Sequence, residues 1–142
     1  MNVTFGLSDV FNVDSPMISN ARVLRALLDA LIVADEEYLR NHRAPRLYSS
    51  RVTYGRTNEW ESIPDVLARG SGDCKSLSAW LVAEKRVRDG QPAEAVFRWM
   101  RNPKKGGIPD WHILVRSQSG WEDPSKVLGM NQNENSYMGG HR

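Results

Sequence analysis

Gly72-Asp73-Cys74-Lys75-Ser76-Leu77-Ser78-Ala79-Trp80-Leu81-Val82-Ala83-Glu84-Lys85-Arg86-Val87 is the stretch on which the reading of the fold turns. Cys74, Leu77, Trp80, Leu81, Glu84 and Val87 recur at the three- and four-residue spacing of one helical face, so a helix is predicted from Asp73 to near Asp89-Gly90. Cys74 then falls in the first turn, and it is the only cysteine in the chain. Free N–H groups and the positive end of the macrodipole at a helix start favour a thiolate, which is the nucleophilic form of cysteine. Lys75 adds positive charge next door.

Upstream, Ser62-Ile63-Pro64-Asp65 reads as a helix start with Ser62 as cap and proline in the first turn, stopped at Gly70. Trp60 and Asn58 lie just ahead of it. A longer helix is predicted over Ser19 to Asn41, with Leu24, Leu27, Leu28, Leu31 and Tyr38 on one face and Ser19 or Asn20 as cap. Arg43-Ala44-Pro45 ends it, because the residue before a proline is pushed out of the helical region. Arg46 to Tyr54 reads as extended up to Gly55.

Downstream, Ala93 to Met100 carries Phe97 and Trp99 in alternation, and Trp111 to Val115 is a second strand-like run beyond the Pro103 to Gly107 turn. The two runs read as a hairpin. Trp121-Glu122 is a short extended piece, Asp123-Pro124-Ser125 a turn, and Asn131 to Arg142 an irregular tail. The resulting fold class is α+β: a helix bearing the cysteine packed on a small antiparallel sheet, with an additional N-terminal helix.

Composition sets the frame. A chain of 142 residues fits one domain, 1–142, divided into an N-terminal extension and helix (1–45), a core (46–130) and a tail (131–142). Such a chain buries enough surface to need no metal or disulfide staple, and one cysteine forms no internal disulfide. The net charge of +2 comes from scattered residues with no basic cluster interleaved with aromatics, so no nucleic-acid partner is expected. Met1 to Asp14 lacks the basic start and apolar core of a secretion signal, and no stretch approaches the roughly 20 apolar residues of a membrane span. The expectation is a cytoplasmic protein with a free thiol and no membrane partner. One cysteine with one well-placed histidine is too few ligands for an ordinary zinc site, so no metal and no cofactor is expected. His42 at a helix end and His141 in the tail read as solvated.

Cys74, His112 and Asp123 supply a nucleophile, a base and a carboxylate able to orient the base. A strand beside the helix can aim His112 at Cys74, and Asp123 follows 11 residues later across one turn. An imidazole in reach would lower the thiol pKa further by forming an ion pair. The Cys74 N–H would serve a developing oxyanion, with a second donor from the Trp60 indole or the Asn58 amide. Each residue also has a bland reading: a buried cysteine, a histidine satisfied by a neighbour, an aspartate that only starts a turn, and core or rim tryptophans at 60, 80, 99, 111 and 121.

Resemblance adds to this reading. Glu59-Trp60-Glu61-Ser62-Ile63-Pro64-Asp65-Val66-Leu67, Gly72-Asp73-Cys74, Trp80, Ala83-Glu84, His112-Ile113-Leu114-Val115 and Glu122-Asp123-Pro124-Ser125-Lys126-Val127-Leu128-Gly129-Met130 resemble the transglutaminase-like cysteine-enzyme superfamily, and within it a small branch carried by tailed bacteriophages and prophages. The likeness runs from about Leu47 to Met130. It implies a papain-like α+β scaffold, Cys74 as nucleophile, His112 as general base and acid, and Asp123 as the orienting group, with Trp60 on the oxyanion side. The chain departs from that branch in carrying Lys75 and Ser76 just after the cysteine, where the branch has acidic residues.

Two functional classes follow. One is a cysteine-dependent acyl-transfer enzyme, acting on a protein or peptide carboxamide with water or an amine as acceptor. The other is a phage structural or assembly protein that uses the scaffold as a binding module with a dormant triad. The phage resemblance implies residence in the bacterial host cytoplasm or in the virion, and phage structural proteins as partners.

Overall fold

The computed structural model describes residues 16–102 and 108–130, with side chains described over 21–99 and 111–130. Its elements, in chain order, are helix α1 (Pro16–Asn41), a 3-10 turn (Leu47–Ser49), strand β1 (Thr53–Tyr54), helix α2 (Ile63–Arg69), strand β2 (Ser71–Gly72), helix α3 (Cys74–Val87), strands β3 (Ala93–Asn102), β4 (Ile108–Ser117) and β5 (Gly120–Glu122), and the short helix α4 (Pro124–Val127). The mixture of helix and strand is that of an α+β fold.

α3 is the centre of the molecule, and every residue from Lys75 to Lys85 is buried. Its sequence predicts a single apolar face, yet the helix is covered all round. That is possible because its buried serines and charged side chains bond the segments packed around it. Lys75 Nζ donates to the Thr57 carbonyl and pairs with Asp73, and Ser76 Oγ accepts the Glu61 N–H. Ser78 Oγ donates to the Ile113 carbonyl, Glu84 accepts the Leu47 N–H at 2.7 Å, and Lys85 meets Glu122 at 2.7 Å. Leu77, Trp80 and Val82 fill the apolar remainder, each fully buried.

α1 packs on α3 through a stripe slightly rotated from the predicted one. Leu28, Leu31, Ile32 and Leu39 are buried, while Leu24, Leu27 and Tyr38 are only partly so. Asp35 lies on this core face with no exposure at all. Its Oδ1 accepts the Ile63 N–H, the first of α2, at 2.9 Å. Ser62 occupies the N-cap position of α2, as expected, but its hydroxyl makes no capping bond. The carboxyl from α1 does that work instead. Glu84 does the same for the 3-10 turn, whose own cap residue, Arg46, makes no side-chain capping bond.

β1 and β2 form a two-stranded parallel pair, Thr53 opposite Ser71 and Tyr54 opposite Gly72, with α2 in the connection. Arg46 to Tyr54 is therefore extended only at its end, because the Leu47–Ser49 turn interrupts it. Gly70 ends α2 at φ +79, a left-handed conformation that glycine adopts without strain. At Gly72 the reason for glycine is space: a Cβ would stand 3.3 Å from both Leu77 Cδ2 and Val66 Cγ1. The chain entering the cysteine helix thus runs tight against α2 and α3.

β3, β4 and β5 form an antiparallel sheet in that order. β3 and β4 are longer than the sequence predicts, pairing from Ala93 with Ser117 to Asn102 with Ile108. Asp123-Pro124-Ser125 opens a helical turn in place of a plain reversal, with Asp123 as its cap. The tail from Asn131 and the segment Met1 to Asp14 lie outside the described residues.

Candidate active site

α3 and β4 bring the cysteine and the histidine strand together through one backbone unit. β5 pairs with β4 only from Val115 to Ser117, and beyond Glu122 the chain turns away at Asp123-Pro124. Proline has no N–H to continue the ladder. Two residues along β4 from Val115, the N–H and carbonyl of Ile113 are taken up by α3. Ser78 Oγ donates to the carbonyl at 3.3 Å, and the N–H donates to the Cys74 sulfur. Cys74 and Ser78 are one helical turn apart, so a single face of α3 caps this strand edge. Cys74 is half-buried there.

His112 precedes Ile113 and projects to the opposite face of β4, across from Arg98 on β3. The ring is buried and its Nε2 lies 2.9 Å from Asp123 Oδ2, with the side chains 8% and 3% exposed. The second oxygen, Oδ1, accepts the Lys126 N–H at 3.2 Å. One carboxylate therefore fixes the imidazole and starts α4. A carboxylate accepts, so Nε2 is the protonated nitrogen of the neutral ring and Nδ1 carries the lone pair. Among the described residues the hydrogen-bond partner of the ring is Asp123, not Cys74.

The thiol itself departs from expectation. Burial pushes the Cys74 pKa up to about 12, and the negative charge of Asp73 adds to the rise. Lys75 and the Ile113 N–H oppose it without overcoming it. The helix terminus favours a thiolate, but removing a charged sulfur from water is the larger effect here. The resting site holds a thiol.

The first turn of α3 also anchors the preceding loop. Asp73 caps the helix, its Oδ1 accepting the Ser76 N–H at 3.3 Å and its Oδ2 meeting Lys75 Nζ. Burial raises the Asp73 pKa, and Lys75 pulls it back down. Lys75 Nζ stands 5.5 Å from the centre of the Trp60 ring, within cation–π range. Trp60 is thereby held against the cysteine-bearing turn. Asn58 is exposed, and among the described residues no hydrogen bond joins it to α3.

The structure pairs His112 with Asp123, sets Cys74 against Ile113, the next residue along β4, holds Trp60 against Lys75, and leaves Asn58 exposed. Sequence reasoning missed Ser78 and Ser76, whose hydroxyls pin β4 and the loop to α3. Their signal was present as a serine one turn after the cysteine and another at the third helical position. Among the described residues no group of three or more His, Cys, Asp or Glu side chains could hold a metal ion, and no helix is long and apolar enough to cross a membrane.

No family model, no curated protein and no solved structure matches this chain.

Proposed function

We propose that the protein is a cysteine-dependent acyl-transfer enzyme with Cys74 as nucleophile, His112 as general base and acid, and Asp123 as the orienting carboxylate. The reading includes the papain-like, transglutaminase-like core that the sequence resembles. The observation that carries it is the dry His112–Asp123 pair at 2.9 Å, set on the residue next to the one whose N–H touches the Cys74 sulfur. Capping α4 engages only Asp123 Oδ1, so the second oxygen is left to hold the imidazole in one orientation.

The raised thiol shapes the mechanism. Proton removal accompanies attack: His112 Nδ1 takes the Cys74 proton as the sulfur adds to the carbonyl, and Asp123 stabilises the imidazolium that forms. The same imidazolium then protonates the departing amine, leaving a thioester. Water or an amine takes the acyl group in the second half. The Cys74 N–H at the helix start is aimed at the tetrahedral oxyanion, and the segment bearing Trp60 supplies the second donor. Protein or peptide carboxamides, phage structural proteins among them, are the substrate class.

A second reading is favoured by one observation. The sulfur already serves as hydrogen-bond partner to Ile113 and has a pKa of about 12, which suits a structural cysteine in an assembly module with a dormant triad. Acylation by p-nitrophenyl acetate separates the two. A burst of p-nitrophenolate with a stable acetyl group on Cys74, absent in Cys74→Ala and strongly reduced in His112→Ala, supports the enzyme. Absence of both an adduct on Cys74 and p-nitrophenolate release that depends on Cys74 supports the module.

A further inference from the structure

Lys75 is 4% exposed although its side chain ends in a full charge, and lysines are almost never buried unless paired. Its ammonium has three partners drawn from two segments: the Asp73 carboxylate in its own turn, and the Thr57 carbonyl and Trp60 ring in the loop ahead of α2. The same loop is fixed one step further on, where the Glu61 N–H donates to Ser76 Oγ at 3.4 Å. Lys75 and Ser76 therefore hold the loop, while Cys74 just before them meets β4. A helix cap alone needs only Asp73, and burying an ion pair for that purpose is wasteful when a solvated carboxylate caps equally well.

We propose that Lys75 is the positioning residue of the site: its ammonium straps the Thr57–Glu61 segment, and with it Trp60, onto the cysteine-bearing turn and screens the Asp73 carboxylate from the Cys74 sulfur. The catalytic meaning of this role rests on the acyl-transfer reading, but the strap and the screen do not. The Lys75 ammonium is paired directly with the Asp73 carboxylate, and the two flank Cys74 in sequence, so the charge that raises the thiol pKa is met by the one that lowers it. Loss of the ammonium would release the oxyanion-side segment and leave the carboxylate unscreened.

The test compares Lys75→Met, Lys75→Arg and the double variant Asp73→Asn/Lys75→Met with the parent. Two readouts are used: the pH profile of Cys74 alkylation by iodoacetamide, and hydrogen exchange of the Glu59 and Glu61 amides. Lys75→Met is expected to slow alkylation about tenfold at a given pH, one unit of thiol pKa, and to speed exchange at both amides at least tenfold. Lys75→Arg is expected to restore both. The double variant leaves no unpaired charge at this turn, so it is expected to fold even if Lys75→Met does not. It should recover the alkylation rate but keep the fast amide exchange. Alkylation profiles that superimpose on the parent overturn the screen, and Glu59 and Glu61 amides as protected in the double variant as in the parent overturn the strap. Neither readout involves acyl transfer. A parent that never acylates, with these effects present, sinks the enzyme reading and leaves the role of Lys75 standing.

Discussion

Asp123 accepts two hydrogen bonds on two different oxygens, 2.9 Å from His112 Nε2 and 3.2 Å from the Lys126 N–H. The carboxylate that would orient the base is also the cap that starts α4, so the proposed catalytic role and local stability meet at one side chain. The two roles separate by substitution. Asp123→Asn keeps an acceptor for Lys126 but turns a donor toward Nε2, which forces the other tautomer on His112. Acyl transfer is expected to fall by roughly 10² to 10⁴ with the thermal midpoint nearly unchanged. Asp123→Ala loses both roles and should cost about 1–2 kcal/mol of stability as well. Steady-state rates set beside thermal unfolding of the two variants check this.

Ser78 is expected to matter for the site without touching substrate. Ser78→Ala leaves the buried Ile113 carbonyl unpartnered, which costs about 1–3 kcal/mol and loosens the β4 edge at the residue after His112. The Ser78→Cys replacement, which keeps a weak donor, should recover part of the loss. Urea unfolding of the two variants gives the comparison.

Asp35 makes a prediction about pH. Burial raises its pKa well above the ordinary carboxylate range, opposed by the bond from the Ile63 N–H, so the folded protein binds its proton more tightly than the unfolded chain does. A group of that kind contributes stability that is complete below the unfolded pKa and is lost as pH rises through the folded one. Other buried carboxyls, Asp73, Glu61 and Glu84, are raised in the same direction, so the parent curve alone does not isolate Asp35. Asp35→Asn keeps an acceptor for Ile63 and removes the titration. The urea midpoint of the parent should decline more steeply than that of Asp35→Asn on going from acid toward neutral pH. Parallel curves would show that Asp35 ionises freely.

Resting Cys74 should alkylate slowly. With the thiol pKa near 12, iodoacetamide at pH 7 is expected to react with Cys74 more slowly than with a free thiol such as glutathione, and without the plateau near pH 6 that a preformed ion pair would give. A fast acid-side plateau would mean that His112 and Cys74 already share the proton in the free protein.

Much of this was legible in the sequence, for physical reasons that differ from element to element. α3 could be read because Leu77, Trp80 and Leu81 keep helical spacing whatever surrounds them. α2 could be read because proline near its start and Gly70 at its end act locally. Asp35 could not be found, since an acidic residue on an otherwise apolar face reads as solvated until α2 is seen to start on it. The sequence at α4 reads as a turn because an aspartate before a proline starts both structures, and only the Lys126 N–H distinguishes them. The His112–Asp123 pair could be read from residue type and order. The state of the thiol could not, because spacing reveals the helix terminus but not the burial that outweighs it. By sequence alone Lys75 reads as a charge beside the thiol. Its hold on Thr57 and Trp60 depends on a loop whose path the sequence does not specify.

The central claim is that His112 drives acylation of Cys74, and intact-mass analysis after exposure to p-nitrophenyl acetate tests it most directly. The account predicts one acetyl group on Cys74 in the parent, none at that position in Cys74→Ala, and acylation slowed at least a hundredfold in a folded His112→Ala. Acetylation of Cys74 at the same rate in the parent and in His112→Ala, or none in either, would contradict it.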